Sequence, residues 1–218
     1  MKRRSTLVVA SVVSPLACLV AVAGAAAEQT PIPLKAPSGY RDYCGRHRGC
    51  PRGGVPQALW RPLHLPTLAP SASCSAATPR TVTKRIAPVL GSGPVYFSAG
   101  AYNPTDRATM KTLPPDTSIA AGTGWTVAKA PLVAKKTLRQ PLVVRGGRID
   151  RPGELGFTGY GVQRPFSALQ FPPSFAIDLG AFKAYGISVW AATPGCYALQ
   201  IDGATFSRII VFRVEFTS

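Results

Sequence analysis

The chemistry available to this 218-residue chain rests on two histidines, five cysteines and nine acids. His47 and His64 both precede Cys74, so the chain from Cys74 onward contains no histidine. That removes the usual Ser-His-Asp and Cys-His arrangements and most zinc sites from this region. No GxSxG, HExxH, P-loop or GxGxxG pattern is present. The acids after Cys74 are Asp106, Asp116, Asp150, Glu154, Asp178, Asp202 and Glu215. Asp150 and Glu154 flank Arg151-Pro152-Gly153 and are the nearest approach to a carboxylate pair of the kind that hydrolyses glycosides. Their spacing suits solvated acids straddling a turn better, and Asp202 reads as a turn residue. No cofactor is expected. Trp125 and Trp190 could form an aromatic platform for sugars, but both sit in strand-like runs where core packing is the commoner fate.

The cysteines divide by position. Cys44 and Cys50 bracket Gly-Arg-His-Arg-Gly. With His47 they offer three local ligands where zinc takes four, and the flanking arginines repel a cation. A small disulfide loop is expected instead. Cys74 and Cys196 are the only cysteines in the region that follows, and they are expected to pair. A catalytic thiol at Cys196 would lack a histidine to form its thiolate.

Disulfides need an oxidising compartment, and the N-terminus supplies the route. Lys2, Arg3 and Arg4 precede an uncharged stretch that runs to Ala27 and ends in Gly24-Ala25-Ala26-Ala27. A basic start, an apolar middle and small residues at −3 and −1 form an export signal cleaved before Glu28. An uncleaved anchor is the rival, weakened by Pro15 and the alanine-rich end. Export leaves no stable membrane span and places the rest in the secreted or extracytoplasmic space of a bacterial envelope.

The elements that position these residues fall into an arm and a domain. Residues 28–73 hold prolines 31, 33, 37, 51, 56, 62, 66 and 70 and keep no period of 2 or 3.6, so they read as a linker. Trp60, Leu59, Leu63 and Leu65 are the apolar residues through which part of this arm would lie on the domain. Residues 74–218 alternate short apolar runs with Gly, Pro, Asp and Asn turns. Strands are expected over 94–99, 125–133, 142–149, 154–160, 168–171, 175–179 and 185–192. A closing hairpin is expected with Tyr197, Leu199 and Ile201 on one face, and then Phe206, Ile210, Phe212, Val214 and Phe216. Asp202-Gly203-Ala204 would form its turn, with Gly203 free to take a positive φ. This predicts an all-β, antiparallel sandwich or barrel of seven to nine strands.

Residues 195–214, GCYALQIDGATFSRIIVFRV, preceded by Thr193-Pro194, resemble the ending of a family of exported bacterial proteins that close with PGCYxxQxDGxxFSxxIVF. Leu90–Tyr96, Pro141–Asp150, Pro152-Gly153 and Phe157 also match. The resemblance covers about residues 74–218 and implies an immunoglobulin-like β-sandwich with no assigned catalytic residue. The antibody signature, a Tyr two residues before the second Cys, is absent because position 194 is Pro. The expected function is therefore a non-catalytic binding or structural module of the cell envelope. A hydrolase of carbohydrate or ester through an unrecognised carboxylate site is the alternative.

Charge points to a partner. The chain carries +16, and cleavage takes away Lys2, Arg3 and Arg4 to leave 22 basic against 9 acidic residues, or +13. Lys129, Lys135, Lys136, Arg139, Arg145, Arg148 and Arg151 form the densest basic run. On neighbouring strands they would make one face for an anionic cell-envelope polymer or lipid head groups. Nucleic acid is not expected for an exported chain without aromatic interleaving. The alternative is that the charge serves solubility alone. The export assignment predicts that secreted material begins at Glu28. N-terminal sequencing checks it, and material that still starts at Met1 and partitions with membranes would overturn it.

Overall fold

The computed structural model describes residue 34 and residues 57–69, 72–101, 103–115, 120–159, 165–171 and 176–217. The expected signal at 1–27 and the Cys44–Cys50 loop lie outside the described residues. Among the described residues the fold is all-β, with twelve strands: β1 Val95–Phe97, β2 Thr109–Thr112, β3 Thr126–Lys129, β4 Leu132–Lys135, β5 Leu142–Arg148, β6 Leu155–Gly159, β7 Ala168–Phe171, β8 Ile177–Asp178, β9 Phe182–Tyr185, β10 Ile187–Ala191, β11 Gly195–Gly203 and β12 Phe206–Phe216.

The strands form a five-stranded sheet in the order β2-β12-β11-β5-β7, a four-stranded sheet β1-β4-β9-β8 and a three-stranded sheet β3-β10-β6. The two smaller sheets are built from the same chain segments. β3 leads into β4 through Ala130-Pro131, and β9 leads into β10 through Gly186. β3 pairs with β10 and β4 with β9, and Ala130 N–H donates to the Ile187 carbonyl where the two pairings meet. Proline has no N–H to give to a ladder, so pairing breaks at Pro131 and the run expected over 125–133 becomes β3 and β4. This is one reason that twelve strands stand where seven to nine were expected. The other is β2 and β9, which the apolar patterning missed. β2, Thr-Met-Lys-Thr, has β-branched ends but no run of apolar residues. It holds its place by pairing in parallel with the end of β12.

The five-stranded sheet faces the other two in a sandwich-like arrangement with one main core. Phe97, Leu132, Phe157, Tyr185 and Val189 from the smaller sheets share that core with Val144, Leu199, Ile210 and Phe212 from the larger one. The rings of Phe97 and Phe212 make an edge contact at 4.9 Å. Trp125 and Trp190 are both buried with Ala120, and Leu34 packs against them. Trp190 Nε1 donates to Thr158 Oγ1 at 2.9 Å. Neither tryptophan is available as a sugar platform.

The closing hairpin differs from expectation in two ways. Its turn is Ala204-Thr205, and Asp202 and Gly203 belong to β11. Gly203 does not take a positive φ. Its lack of a side chain is needed for space, since a Cβ there would lie 2.5 Å from Phe206 Cε1. The alternation along β11 is as expected, but both of its faces are buried, not one.

The cover on the second face is the arm. A 3-10 turn, Gln57–Leu59, and the extended residues after it lie along the outer face of the five-stranded sheet. Leu59 packs on Val143. Leu65 and Leu68 pack on Ile149, Cys196, Ala198 and Val211, and Leu68 N–H donates to the Ile149 carbonyl at 2.7 Å. Residues 57–69 are thus part of the packed structure and not a free linker: Leu59, Trp60 and Leu65 lie on the domain as expected, whereas Leu63 is exposed. Cys74 and Cys196 are disulfide-bonded, with Cα atoms 5.5 Å apart and a sequence separation of 122. In the chain-entropy argument such a loop stabilises by about 4–5 kcal/mol. Replacing Leu65 and Leu68 by Ala should cost about 1–2 kcal/mol each, since both are half-buried. Leu63→Ala, on the exposed side of the same arm, should cost less than about 0.5 kcal/mol. Denaturant unfolding measures the difference, and equal costs would mean that the arm is not docked.

Candidate functional site

Two polar constellations sit on β5 and β11, on opposite faces and towards opposite ends. The first lies under the arm. Gln200, Asp202 and Arg145 point outward from the five-stranded sheet, and Gln200 is the register partner of Arg145. Asp202 is fully buried and accepts from Arg145 Nη2 at 2.7 Å. Arg145 also donates to the Arg61 carbonyl and lies 5.8 Å from the centroid of the Trp60 ring. The Gln200 amide behaves like a peptide unit in a ladder: Nε2 donates to the Pro62 carbonyl at 2.9 Å, and Oε1 accepts from His64 N–H at 2.7 Å. Arg61 closes the clasp from the arm's side, with Nη1 donating to the Gly203 and Phe206 carbonyls and Nη2 to that of Ala204. Every strong polar group here serves to hold the arm.

The electrostatics agree with that role. Burial pushes the Asp202 carboxyl up, and hydrogen bonds from Ser207, Arg145 and Gln200 outweigh it and hold the group below the ordinary carboxylate range. A carboxyl held ionised in this way is a poor general acid, because it has no proton to give near neutrality.

The second constellation lies at the far end of β5. Arg148 is almost fully buried and donates from Nε to Asp150 Oδ1 at 2.6 Å and from Nη2 to Asp150 Oδ2 at 3.1 Å. Its Nη1 donates to Thr193 Oγ1, and its guanidinium sits 5.9 Å from the centroid of the Tyr197 ring. Gly195 is required beside it, because a Cβ there would fall on the guanidinium. The hydrogen bond to Asp150 raises the Arg148 pKa, and the same bond lowers that of Asp150. Burial raises the Tyr197 pKa, and its hydroxyl donates to the Thr193 carbonyl at 2.7 Å. This return of a tyrosine hydroxyl to the backbone a few residues upstream is the contact of a tyrosine corner. Here the tyrosine follows the second cysteine instead of preceding it by two.

The seven basic residues expected to share one face are distributed over three sheets. Lys129 ends β3 and Lys135 ends β4, both exposed, and Arg139 is exposed before β5. Lys136 pairs with Asp178 at 2.5 Å on the surface. Arg145 and Arg148 are taken up by Asp202 and Asp150, and Arg151 is exposed in the turn after β5. The run is dense in sequence, but alternation along β5 turns Arg145 and Arg148 to opposite faces. Asp150 and Glu154 do straddle a turn, as expected, with Glu154 bridged to Gly147. Asp150, however, is committed to Arg148 and is not a free solvated acid. Asp106 accepts from Ala108 N–H and Thr109 Oγ1, and the bond from Thr109 is the main cause that lowers its pKa. Among the described residues no three His, Cys, Asp or Glu converge as a metal site would need.

Arg61 and Gln200 have structural roles that residue patterning did not single out. The signal for Gln200 was present, since it is the fixed Q of the QxDG ending. Its partner, however, is the backbone of the arm, which carries no side-chain signature. The chain matches no family model, no curated protein and no solved structure.

The buried pair makes a prediction about acid. The folded-state pKa of Asp202 lies below its unfolded value of about 3.9. Its contribution is therefore complete above that value and is lost as pH falls through the folded pKa. Asp202→Asn should cost about 3 kcal/mol or more at neutral pH, because it leaves Arg145 uncompensated. It should also flatten the loss of stability below about pH 4. Urea unfolding as a function of pH checks both, and an unchanged acid slope would contradict the assignment.

Proposed function

We propose that the protein is an exported, extracytoplasmic β-sandwich module of the cell envelope, non-catalytic, which attaches to anionic envelope polymers or lipid head groups. In this proposal it belongs with the exported bacterial proteins that close with PGCYxxQxDGxxFSxxIVF and share an immunoglobulin-like sandwich. The observation that carries the reading is how the acids and the cations are disposed. Asp202 and Asp150 are bonded to arginines, Asp178 is paired with Lys136, and Asp106 caps its own turn. Lys129, Lys135, Arg139 and Arg151 are exposed, and among the described residues none has an acid partner. The net positive charge is thus presented outward by flexible cations. Such a field draws polyanions over distance and releases their counterions on contact.

The ending motif supports the same reading. Its Cys forms the disulfide, its Tyr the corner, its Gln and Asp the clasp, its Gly the space for the Phe206 ring, and its Ile and Phe the core. The engagement of these members in structural contacts supports the non-catalytic reading. The disulfide suits an oxidising compartment.

Attachment of the purified protein to isolated envelopes should weaken by at least roughly tenfold between 0.01 and 0.15 M salt, as the screening length shortens from about 30 Å to about 8 Å. Lys129→Gln, Lys135→Gln and Arg139→Gln together should lower attachment at low salt without changing the melting temperature. Attachment that ignores both salt and these substitutions would refute the electrostatic reading.

A further inference from the structure

A cleft of about 340 Å³ opens beside the Arg148–Asp150 pair, at the end of the sandwich away from the β11–β12 turn. Its apolar side is Pro194 and the half-buried Cys74, with Cys196 and Val214 buried behind them. Its polar wall carries three arginines, Arg148, Arg151 and Arg213, against two acids, Asp150 and Glu215. The acids do not cancel the arginines equally. Both oxygens of Asp150 are occupied by Arg148. Arg148 itself is held by Asp150, Thr193 and the Tyr197 ring, so it is a fixed cation that a ligand need not order. Arg151 is exposed and has no acid partner among the described residues. Arg213 meets Glu215 at 3.6 Å, with both side chains more than two-fifths exposed. Exposed pairs of this kind are worth little and exchange readily for a better anion.

We propose that this cleft binds a single anionic sugar unit, a ring bearing a carboxylate or a phosphate, with Arg151 and Arg213 as its anion-binding residues. The planar fork of arginine matches both anions in bidentate geometry. Pro194 and the half-buried Cys74 offer a small apolar surface to one edge of a ring. The volume stands at the low end of the range for ligand sites, which suits one unit and not a long segment of polymer. This inference rests on the envelope-polymer reading above and names the unit recognised.

The cleft is far from Arg139. Leu142, at the start of β5, pairs with Gly203, and Arg148, at its end, pairs with Tyr197. Arg139 precedes Leu142, so it lies beyond the opposite end of a strand about 20 Å long at ~3.3 Å per residue. A short ligand in the cleft should not contact it.

The test uses the mature, disulfide-bonded protein at about 0.15 M salt, where the long-range field is screened. A short uronic-acid oligosaccharide, a sugar phosphate and a neutral oligosaccharide of matched length are titrated by calorimetry or NMR. Saturable binding of either anionic ligand, and weaker binding of the neutral one, is expected. Preference for the uronate or for the phosphate identifies which anion the site takes. Arg151→Gln with Arg213→Gln should weaken binding at least tenfold, whereas Lys135→Gln with Arg139→Gln, an equal loss of charge, should change it less than twofold. Both pairs are on exposed side chains, and thermal melts verify folding. The assignment fails if neither anion saturates, if the neutral ligand binds as well, or if the two double variants weaken binding equally. If any of these occurs while attachment to whole envelopes still falls with salt, the cleft is wrong and the envelope reading stands.

Discussion

β11 runs between β12 and β5 and beneath two covers, so no group on it reaches bulk solvent except at its first residue. That burial is the constraint to which much of the structure answers. One face carries Tyr197, Leu199 and Ile201 into the main core, where apolar contact suffices. The other carries Gln200 and Asp202, and a buried amide and a buried carboxylate cost several kcal/mol unless their hydrogen-bonding groups are met. Arg145 from the neighbouring strand, Arg61 from the arm and the backbone at Pro62 and His64 meet them. The hydrogen bonds of these polar groups tie the arm to β11 at Arg61, Pro62 and His64. Apolar contacts from Leu59, Leu65 and Leu68 then fill the remainder.

The disulfide belongs to the same arrangement. Cys196 points to the outer face, under Leu65 and Leu68, and Cys74 follows directly on the docked arm. Arm, disulfide and β11 are therefore joined both by a covalent bond and by a hydrogen-bonded clasp. At the opposite face the same strand carries Tyr197, which ties the β10–β11 corner to Arg148 and, through it, to the turn after β5. The proposed anion site is a by-product of this bracing. Arg148 is rigid for structural reasons, and the arginines beside it inherit a fixed cationic floor and a small apolar side.

Charge follows the same division. Arginines inside the structure are matched to acids, and the excess is displaced to exposed positions at strand ends and turns. A run of seven basic residues looked like one surface because sequence proximity ignores the alternation of strands. On β5, Arg148 follows Arg145 at an odd spacing, which sends one under the arm and the other over Tyr197. Fold class was legible because alternating apolar residues and turn signals are local properties. The boundaries of β7, and the alternation of β11 and β12, followed from the same rule.

The amino-acid sequence by itself determined the all-β class, the pairing of Cys74 with Cys196 and the burial of Trp125 and Trp190. Each depends on composition, on period or on there being a single possible partner. Tertiary structure alone decided which groups hold residues 57–69, that Gln200 and Asp202 are buried and that Pro131 and Gly186 divide two long runs into four strands. It also decided that Arg151 and Arg213 share a cleft, although they stand far apart in the chain. Proline patterning reports that a segment cannot form a helix or join a sheet, and it says nothing about whether a neighbouring surface will receive that segment. An arm that contributes backbone carbonyls and a few leucines leaves no period to read. Its place is set by unsatisfied groups on another strand, and those become visible only when the sheet is assembled.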